Sequence, residues 1–404
     1  MIWLLAACGG NGGATDGPPP ERSTGVGVNV RLLDGAPMTD AVVALFPIPE
    51  DSAVVADTIN ADVDSAGFAL FLDETALSYT MTVNAEGFTN GYAAATLVEN
   101  YIAGFQMWLA PLTYLGIADH TVPSVLDLGE TGTVTWPPLS FALNDAPYEG
   151  VVALEHVAIL AEDSLILPGS VERKRGDGVV EPLVFYAAAH IRFPSVEGAG
   201  VEMALPGVWQ IPVVPNSPLA LASELATYAY NVGSGFWEKV GDAAIVDGVF
   251  IGEMTRFGWW AVGSVAPTSA CVRGSVLDDD ELALFGAEVI AVQQDTLGIR
   301  RANVEADATF CLPAEPATGG QIFVFAWPGT AELVYKDAPF FAAPTGPADC
   351  GKPETCLNLG ELRPISHEDD DGDGYYQGVG DCDDDDPAVN PTLLLGDGST
   401  CFDD

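Results

Sequence analysis

From Val26 to Leu112 the chain alternates between short apolar runs and small polar turns. VGVNVRLLDGAP, AVVALFPIP, GFALFL, SYTMTVNAEGF and FQMWLAPL carry apolar side chains at every second position or as brief blocks, with Asp34-Gly35 and Glu86-Gly87 as punctuation. Successive side chains of a strand point to opposite faces, so runs of this length bounded by Asp, Gly and Pro predict β-strands and not helices. About seven strands at such spacing predict a sandwich of immunoglobulin size over 25–115.

The same syntax returns later. CVRGSVLDDDELALFGAEVIAVQ, ANVEADATFCLP and GGQIFVFAWPG repeat the order strand, acidic turn, strand, turn, strand. Aligning Val28–Leu45 with Val272–Val289 superposes the runs and sets Gly67-Phe68 against Thr309-Phe310, which predicts a second copy over 266–345. A third strand-rich unit over 116–265 lies between them, with SVLDLGETGTVTWPPLSF, EGVVALEHVAIL, VFYAAAHIRF and VFIGEMTRFGWWAVGSVAP as its runs. The expected fold class is therefore all-β and multidomain, a tandem of immunoglobulin-like sandwiches. With 48% hydrophobic residues in 404, several separate cores can be filled. No stretch reaches the roughly 18 to 20 apolar residues of a membrane-spanning helix.

Charge narrows the partners. The chain has 58 acidic and 14 basic residues, a net charge of -44, which repels phosphate backbones and excludes an electrostatic grip on nucleic acid. Divalent cations and salt ease such a surface.

The acids concentrate in the last segment, HEDDDGDGYYQGVGDCDDDDPAVNP from His367. Asp369, Asp371 and Asp373 stand at positions 1, 3 and 5 of an EF-hand-like loop with Gly374 at position 6, where short oxygen ligands converge on Ca2+ and glycine permits the turn. Position 12, where a bidentate Glu would close the shell, is Gly380. Closure is expected instead from Asp381, Asp383 and Asp385, giving an irregular calcium-binding module over 346–404. A solvated, self-repelling acidic tail is the alternative. The interspersed glycines, Tyr375-Tyr376 and the pair Cys382 and Cys401 favour the ordered module.

At the other end, Leu5-Ala6-Ala7-Cys8 fits a bacterial lipobox, in which the cysteine is lipidated, and GGNGGATDGPPPERSTG reads as a tether over 9–24. The apolar run Ile2–Ala7 is shorter than a signal-peptide core, so residues 1–8 are expected to be a truncated signal segment with a natural start upstream. Setting Cys8 aside leaves six cysteines that fall into sequence-near pairs, expected as Cys271 with Cys311, Cys350 with Cys356 and Cys382 with Cys401. No Cys-x-x-Cys occurs, which argues against a thiolate zinc site.

Three resemblances add to this. The string from Asp369 to Pro391, with Asp371-Gly372-Asp373-Gly374-Tyr375, Gly380-Asp381-Cys382-Asp383-Asp384, Asp386-Pro387 and Asn390-Pro391, resembles the Asp-rich calcium repeats of myxobacterial MopE-like surface proteins, related to thrombospondin type 3 repeats. Ser399 and Thr400 depart from that pattern. Val30, Asp34, Gly35, Pro37, Ala41 and Val43, and later Gly274, Val276, Gly286, Ala287 and Val289, resemble the prealbumin-like sandwich of carboxypeptidase regulatory-like domains. Tyr230, Gly235, Trp237, Gly241, Phe257, Trp259 and Trp260 resemble the central region of cartilage intermediate layer proteins and their bacterial relatives. Together these imply a surface scaffold and no catalysis.

The sequence offers little for an enzyme. His156 and His190 fall inside expected strands, His120 and His367 stand apart, and Gly233-Ser234-Gly235 is too short for a nucleophile elbow. Trp259 and Trp260 should point to opposite faces of a strand, one into the core and one outward as a candidate partner contact. The expectation is a non-enzymatic lipoprotein of the cell envelope, held at the outer membrane or cell surface by a lipid anchor in a bacterial membrane. It would be structural or adhesive, with Ca2+ as its cofactor and a surface protein or polysaccharide as partner. The alternative is a carbohydrate- or protein-binding module centred on the exposed tryptophan.

Overall fold

A computed structural model describes residues 24–366, apart from the short stretches 49–57, 66, 73–77, 98–101, 118–120, 145, 149–151, 194–200, 216, 223, 267–269, 278–282, 285, 294–295, 315–318, 326–333, 336, 342–349, 351 and 364. Cys8, Cys382, Cys401, the acidic residues from Asp369 to Asp385, His120 and His367 lie outside the described residues.

The chain is all-β, as its alternation predicts. The first sandwich contains β1 (Gly25–Leu32), β2 (Val42–Ile48), β3 (Ile59–Asp62), β4 (Phe68–Leu72), β5 (Ser78–Asn84), β6 (Gly91–Thr96) and β7 (Ile102–Leu109). They form sheets of order β4-β1-β7 and β3-β2-β5-β6. The first and last strands run parallel, Val28 opposite Phe105. Period-2 alternation turns Val26, Val28 and Val30 inward against Val43, Leu45, Met81, Val83, Phe105 and Met107.

The middle unit contains β8 (Thr113–Ile117), β9 (Ser124–Asp127), β10 (Thr133–Trp136), β11 (Phe141–Leu143), β12 (Ala146–Pro147), β13 (Val152–Ile159), β14 (Glu172–Lys174) and β15 (Val180–Arg192). It continues with β16 (Val201–Met203), β17 (Gly207–Pro212), β18 (Ala226–Asn231), β19 (Phe236–Asp242), β20 (Ala244–Val246), β21 (Val249–Met254) and β22 (Gly258–Val265). A sheet of order β20-β21-β17-β10-β9 packs on the larger β19-β18-β22-β15-β13-β8 through Trp136, Trp209, Phe250, Leu154, Ala189 and Trp260.

A β-bulge sets which face each residue of β15 takes. The register with β22 slips between Phe185 and Ala187. Upstream of the slip Leu183 and Phe185 face away from the middle core, and downstream Ala187, Ala189 and Ile191 face into it. Opposite the slip stands Gly263, where an added Cβ would lie 2.4 Å from the Val184 carbonyl oxygen and 2.5 Å from the Phe185 ring. Only glycine lets the two strands close there.

The third unit repeats the first. It contains β23 (Ala270–Val276), β24 (Glu288–Gln293), β25 (Ile299–Asn303), β26 (Thr309–Ala314), β27 (Gly319–Phe325), β28 (Val334–Tyr335), β29 (Asp337–Phe341), β30 (Leu357–Leu362) and β31 (Ile365–Ser366). Its sheets, β26-β23-β30 and β25-β24-β27-β29, match the order of the first sandwich strand for strand, including a parallel pair, β23 with β30.

The three units share a buried junction. The outer face of the large middle sheet contributes Phe185, Ala188, Tyr228, Trp237, Trp259 and Ala261, and the third unit supplies Ile290, Ile299 and Phe325. Trp108 of the first unit meets Phe325 edge-on, ring centroids 5.2 Å apart. At the centre is an ion pair. Glu288 of β24 and Arg301 of β25 lie 2.9 Å apart with side chains 2% and 8% exposed. Glu288 Oε2 accepts the Gln106 N–H of β7 at 2.9 Å, and Arg301 Nη1 donates to the Gln106 carbonyl at 3.1 Å. Arg301 Nη2 donates to the Leu165 carbonyl of the middle unit at 3.3 Å, and the Arg301 N–H donates to Ser170 Oγ at 3.0 Å. One Glu-Arg pair of the third unit thus binds backbone of the other two. It satisfies the outward N–H and C=O of Gln106 on β7, the edge strand of its sheet, which would otherwise lie buried without partners.

Burial pushes the Glu288 carboxyl pKa up, while Arg301 and the Gln106 N–H pull it back. Removing one charge of such a pair leaves the other buried and uncompensated. Glu288→Gln is expected to lower unfolding free energy by about 3 to 5 kcal/mol, read by denaturant melts, whereas Glu361→Gln, at an exposed position of β30, should change it little.

Candidate functional site

Cys271, Cys311, Cys350 and Cys356 come together on one sheet, but not in the expected pairs. Cys271 bonds Cys356 and Cys311 bonds Cys350, with Cα separations of 4.7 and 5.7 Å. The expected pairs Cys271 with Cys311 and Cys350 with Cys356 are therefore corrected. Strand register is the reason. In the antiparallel pair of β23 and β26, Cys271 faces Pro313 and Cys311 faces Arg273. In the parallel pair, Val272 faces Leu357, so Cys271 and Cys356 stand side by side immediately before them.

The segment 350–356, with its short turn Pro353–Thr355, is thus strapped to the outer face of β26-β23-β30 at both ends. The loops closed span 85 and 39 residues of sequence. Chain-entropy reasoning gives about 4 to 5 kcal/mol for each bond taken singly. Cys311 Sγ and Cys356 Sγ, from different bonds, lie 3.6 Å apart, and all four sulfurs fall within 4.8 Å of one another. Beside them opens a cleft of about 580 Å³, lined in part by Arg273, Asp307, Cys311, Cys350 and Glu361.

The tryptophan pair does point to opposite faces of β22, but neither side chain reaches solvent: Trp259 is 2% and Trp260 0% exposed. This corrects the expectation of an outward partner contact. Trp260 enters the middle core and Trp259 the junction, because the sheet is covered on both faces. Their indole N–H groups donate to the Arg256 carbonyl at 2.8 Å and the Asn90 carbonyl at 3.2 Å. Val125, Val214 and Leu221 are the kind of apolar side chain that does face solvent, scattered over the middle unit.

His190 packs against Trp259 with ring centroids 4.6 Å apart and tilted by 32°, and is buried. Burial pushes its pKa down to about 3, with the nearby Arg192 charge adding to the shift. His156 is half-buried, and burial lowers its pKa while Asp127 pulls it back.

Sequence reasoning missed Glu288, Arg300 and Arg301. Arg300 is fully buried and donates to the Leu183 carbonyl at 2.7 Å and the Ile299 carbonyl at 2.9 Å. The available signal was a Glu inside the apolar run GAEVIAV and an Arg doublet in a chain with so few bases. Next to them is a cavity of about 170 Å³ lined in part by Ser170, Glu172, Tyr230, Glu288 and Arg301. Burial raises the Glu172 pKa against the pull of Arg300 and raises that of the Tyr230 phenol, which stays protonated at neutral pH.

His190 carries a pH prediction. Its folded pKa lies below the ordinary 6.5, so the unfolded chain takes up a proton first as pH falls. Its neutral form costs nothing above that value, and stability is lost progressively from pH about 6.5 down to about 3. The difference in unfolding free energy between wild type and His190→Phe, followed by denaturant melts across that window, should shift steadily in favour of the variant with falling pH. A constant difference would contradict the burial of a neutral imidazole.

No family model matches the chain, and no curated protein matches it. Solved structures found to be similar include the major pilin subunit BcpA of Bacillus cereus, 8% identical, covering 85% of this chain and 99% of that one with a TM-score of 0.21. The full-length major pilin SpaD from Corynebacterium diphtheriae is 10% identical and covers 88% and 100%, with a TM-score of 0.20. The Bacillus anthracis TIE protein is 9% identical and covers 85% and 51%, with a TM-score of 0.20. Likenesses of this size carry no assignment of function.

Proposed function

We propose that this protein is a non-enzymatic structural element of the bacterial cell surface, a rigid three-sandwich body carried between a lipid anchor at Cys8 and a calcium-stabilised Asp-rich module. The observation that carries the reading is the junction, where Glu288, Arg301, Gln106 and Leu165 join three units through buried polar contacts. Charged side chains placed in this way hold the three units in one arrangement. Disulfides across β23, β26 and the strap suit an oxidising compartment.

No helix among the described residues is long and apolar enough to cross a membrane. Attachment would rest on a lipid at Cys8. Calcium would be held by Asp369, Asp371 and Asp373 with Asp381, Asp383 and Asp385, folding the module by neutralising carboxylates that otherwise repel. A tryptophan-centred binding surface loses its support, because both indoles are buried.

Isothermal titration of Ca2+ into the full chain, disulfides intact, tests the calcium half of the reading. Saturable binding is expected, at least about tenfold weaker in the triple variant Asp369→Asn, Asp371→Asn, Asp373→Asn because those ligands carry the charge of the site. Weak, unsaturable uptake that the triple variant leaves unchanged would reduce the segment to an acidic tail.

A further inference from the structure

The four sulfurs of Cys271, Cys311, Cys350 and Cys356 converge from two strands and a loop to within 4.8 Å of one another. Two disulfides need no such proximity between them. A tetrahedral thiolate site does: with metal-sulfur bonds of about 2.3 Å, its sulfurs sit roughly 3.8 Å apart. The Cys311 and Cys356 sulfurs are already at 3.6 Å although no bond joins them. The remaining adjustment opens the two bonded pairs, and the strap ends at Cys350, which is exposed, and Cys356, which is partly so. Rotation of those two side chains is the movement the proposal calls for.

A second observation points the same way. Arg273 lies directly opposite Cys311 in the register of β23 and β26 and lines the cleft that Cys311 and Cys350 also border. Its Nε–H is buried and has no hydrogen-bond partner among the described residues. A buried donor left this way is costly. Four thiolates around a divalent ion carry a net charge of about -2 and accept N–H donors at sulfur, the role outer groups take in metal sites. The guanidinium would supply both the donor and the compensating charge.

We propose that the four-cysteine cluster is a zinc(II) site in its reduced form, holding the strap on the sheet with metal where the oxidised form holds it with two disulfides. The interconversion balances with a dithiol as reductant. Two dithiols deliver four electrons and four protons, become two disulfides, and leave four protein thiols. Zn2+ then binds as those thiols give up their protons. The reverse, driven by a disulfide oxidant, re-forms both bonds and releases the ion. The sequence expectation against zinc rested on the absence of a short Cys-x-x-Cys spacing. Here the ligands are instead assembled by strand register across 85 residues.

The test uses the full chain with Cys8→Ser, Cys382→Ser and Cys401→Ser, reduced by a phosphine under argon and titrated with Co2+ as the spectroscopic probe. Carboxylates of the acidic tail bind Co2+ without sulfur-to-metal charge transfer, so that band isolates the cluster. The expected result is a charge-transfer band with tetrahedral ligand-field bands, saturating at one Co2+ per chain and bleached by Zn2+. Cys350→Ser should abolish the saturation. Arg273→Gln, which keeps all four sulfurs, should weaken Co2+ binding about tenfold. Absence of the band would overturn the proposal, whether the reduced chain stays folded or not by circular dichroism. So would a band that Cys350→Ser leaves unchanged.

Discussion

The buried pair of Glu288 and Arg301 is the constraint on which the arrangement of this molecule depends. A two-layer sandwich completes its own core and has no intrinsic reason to dock on another. Here one carboxylate and one guanidinium of the third unit meet the peptide of Gln106 in the first and the carbonyl of Leu165 in the middle one. The backbone contacts from Gly104 to Gly286, from Leu297 to Phe185 and from Val171 to Ile299 run alongside. Desolvating an ion pair is costly, so such a pair specifies an arrangement more than it stabilises one. Its partners lie in two other units, and the apolar junction of Trp108, Trp259, Phe185 and Phe325 supplies the burial that holds the arrangement.

That junction also explains why the large middle sheet has no wet face along β22. In a sandwich one face of each sheet usually meets solvent, which is why an outward tryptophan is expected from GWWAV. Alternation read from the sequence placed Trp259 and Trp260 on opposite faces, and they are. What lies over the second face is a matter of tertiary docking, and no local pattern within β22 encodes it. The same holds for His190, buried beneath Trp259 by an element distant in sequence.

Strands and fold class were legible because period-2 burial leaves a direct trace in the order of residues. The repeat was legible for the same reason: Val28–Leu45 and Val272–Val289 lead into the same strand order in the two outer sandwiches. Disulfide pairing was not legible. Proximity in sequence favoured Cys350 with Cys356, whereas the parallel pairing of β23 and β30, a contact between strands far apart in the chain, set Cys356 beside Cys271. The buried ion pair was half legible: Glu288 and the Arg300-Arg301 doublet are out of place in apolar strands, but their partner is a backbone segment that carries no mark of the interaction.

If one junction fixes all three sandwiches, they should unfold as one. Scanning calorimetry of the full chain with its disulfides intact measures this directly. The account predicts a single transition for the β-sandwich body, with the calorimetric enthalpy matching the van't Hoff enthalpy. Two or three separable transitions, each with the enthalpy of a single sandwich, would mean that the units are merely tethered and would contradict it.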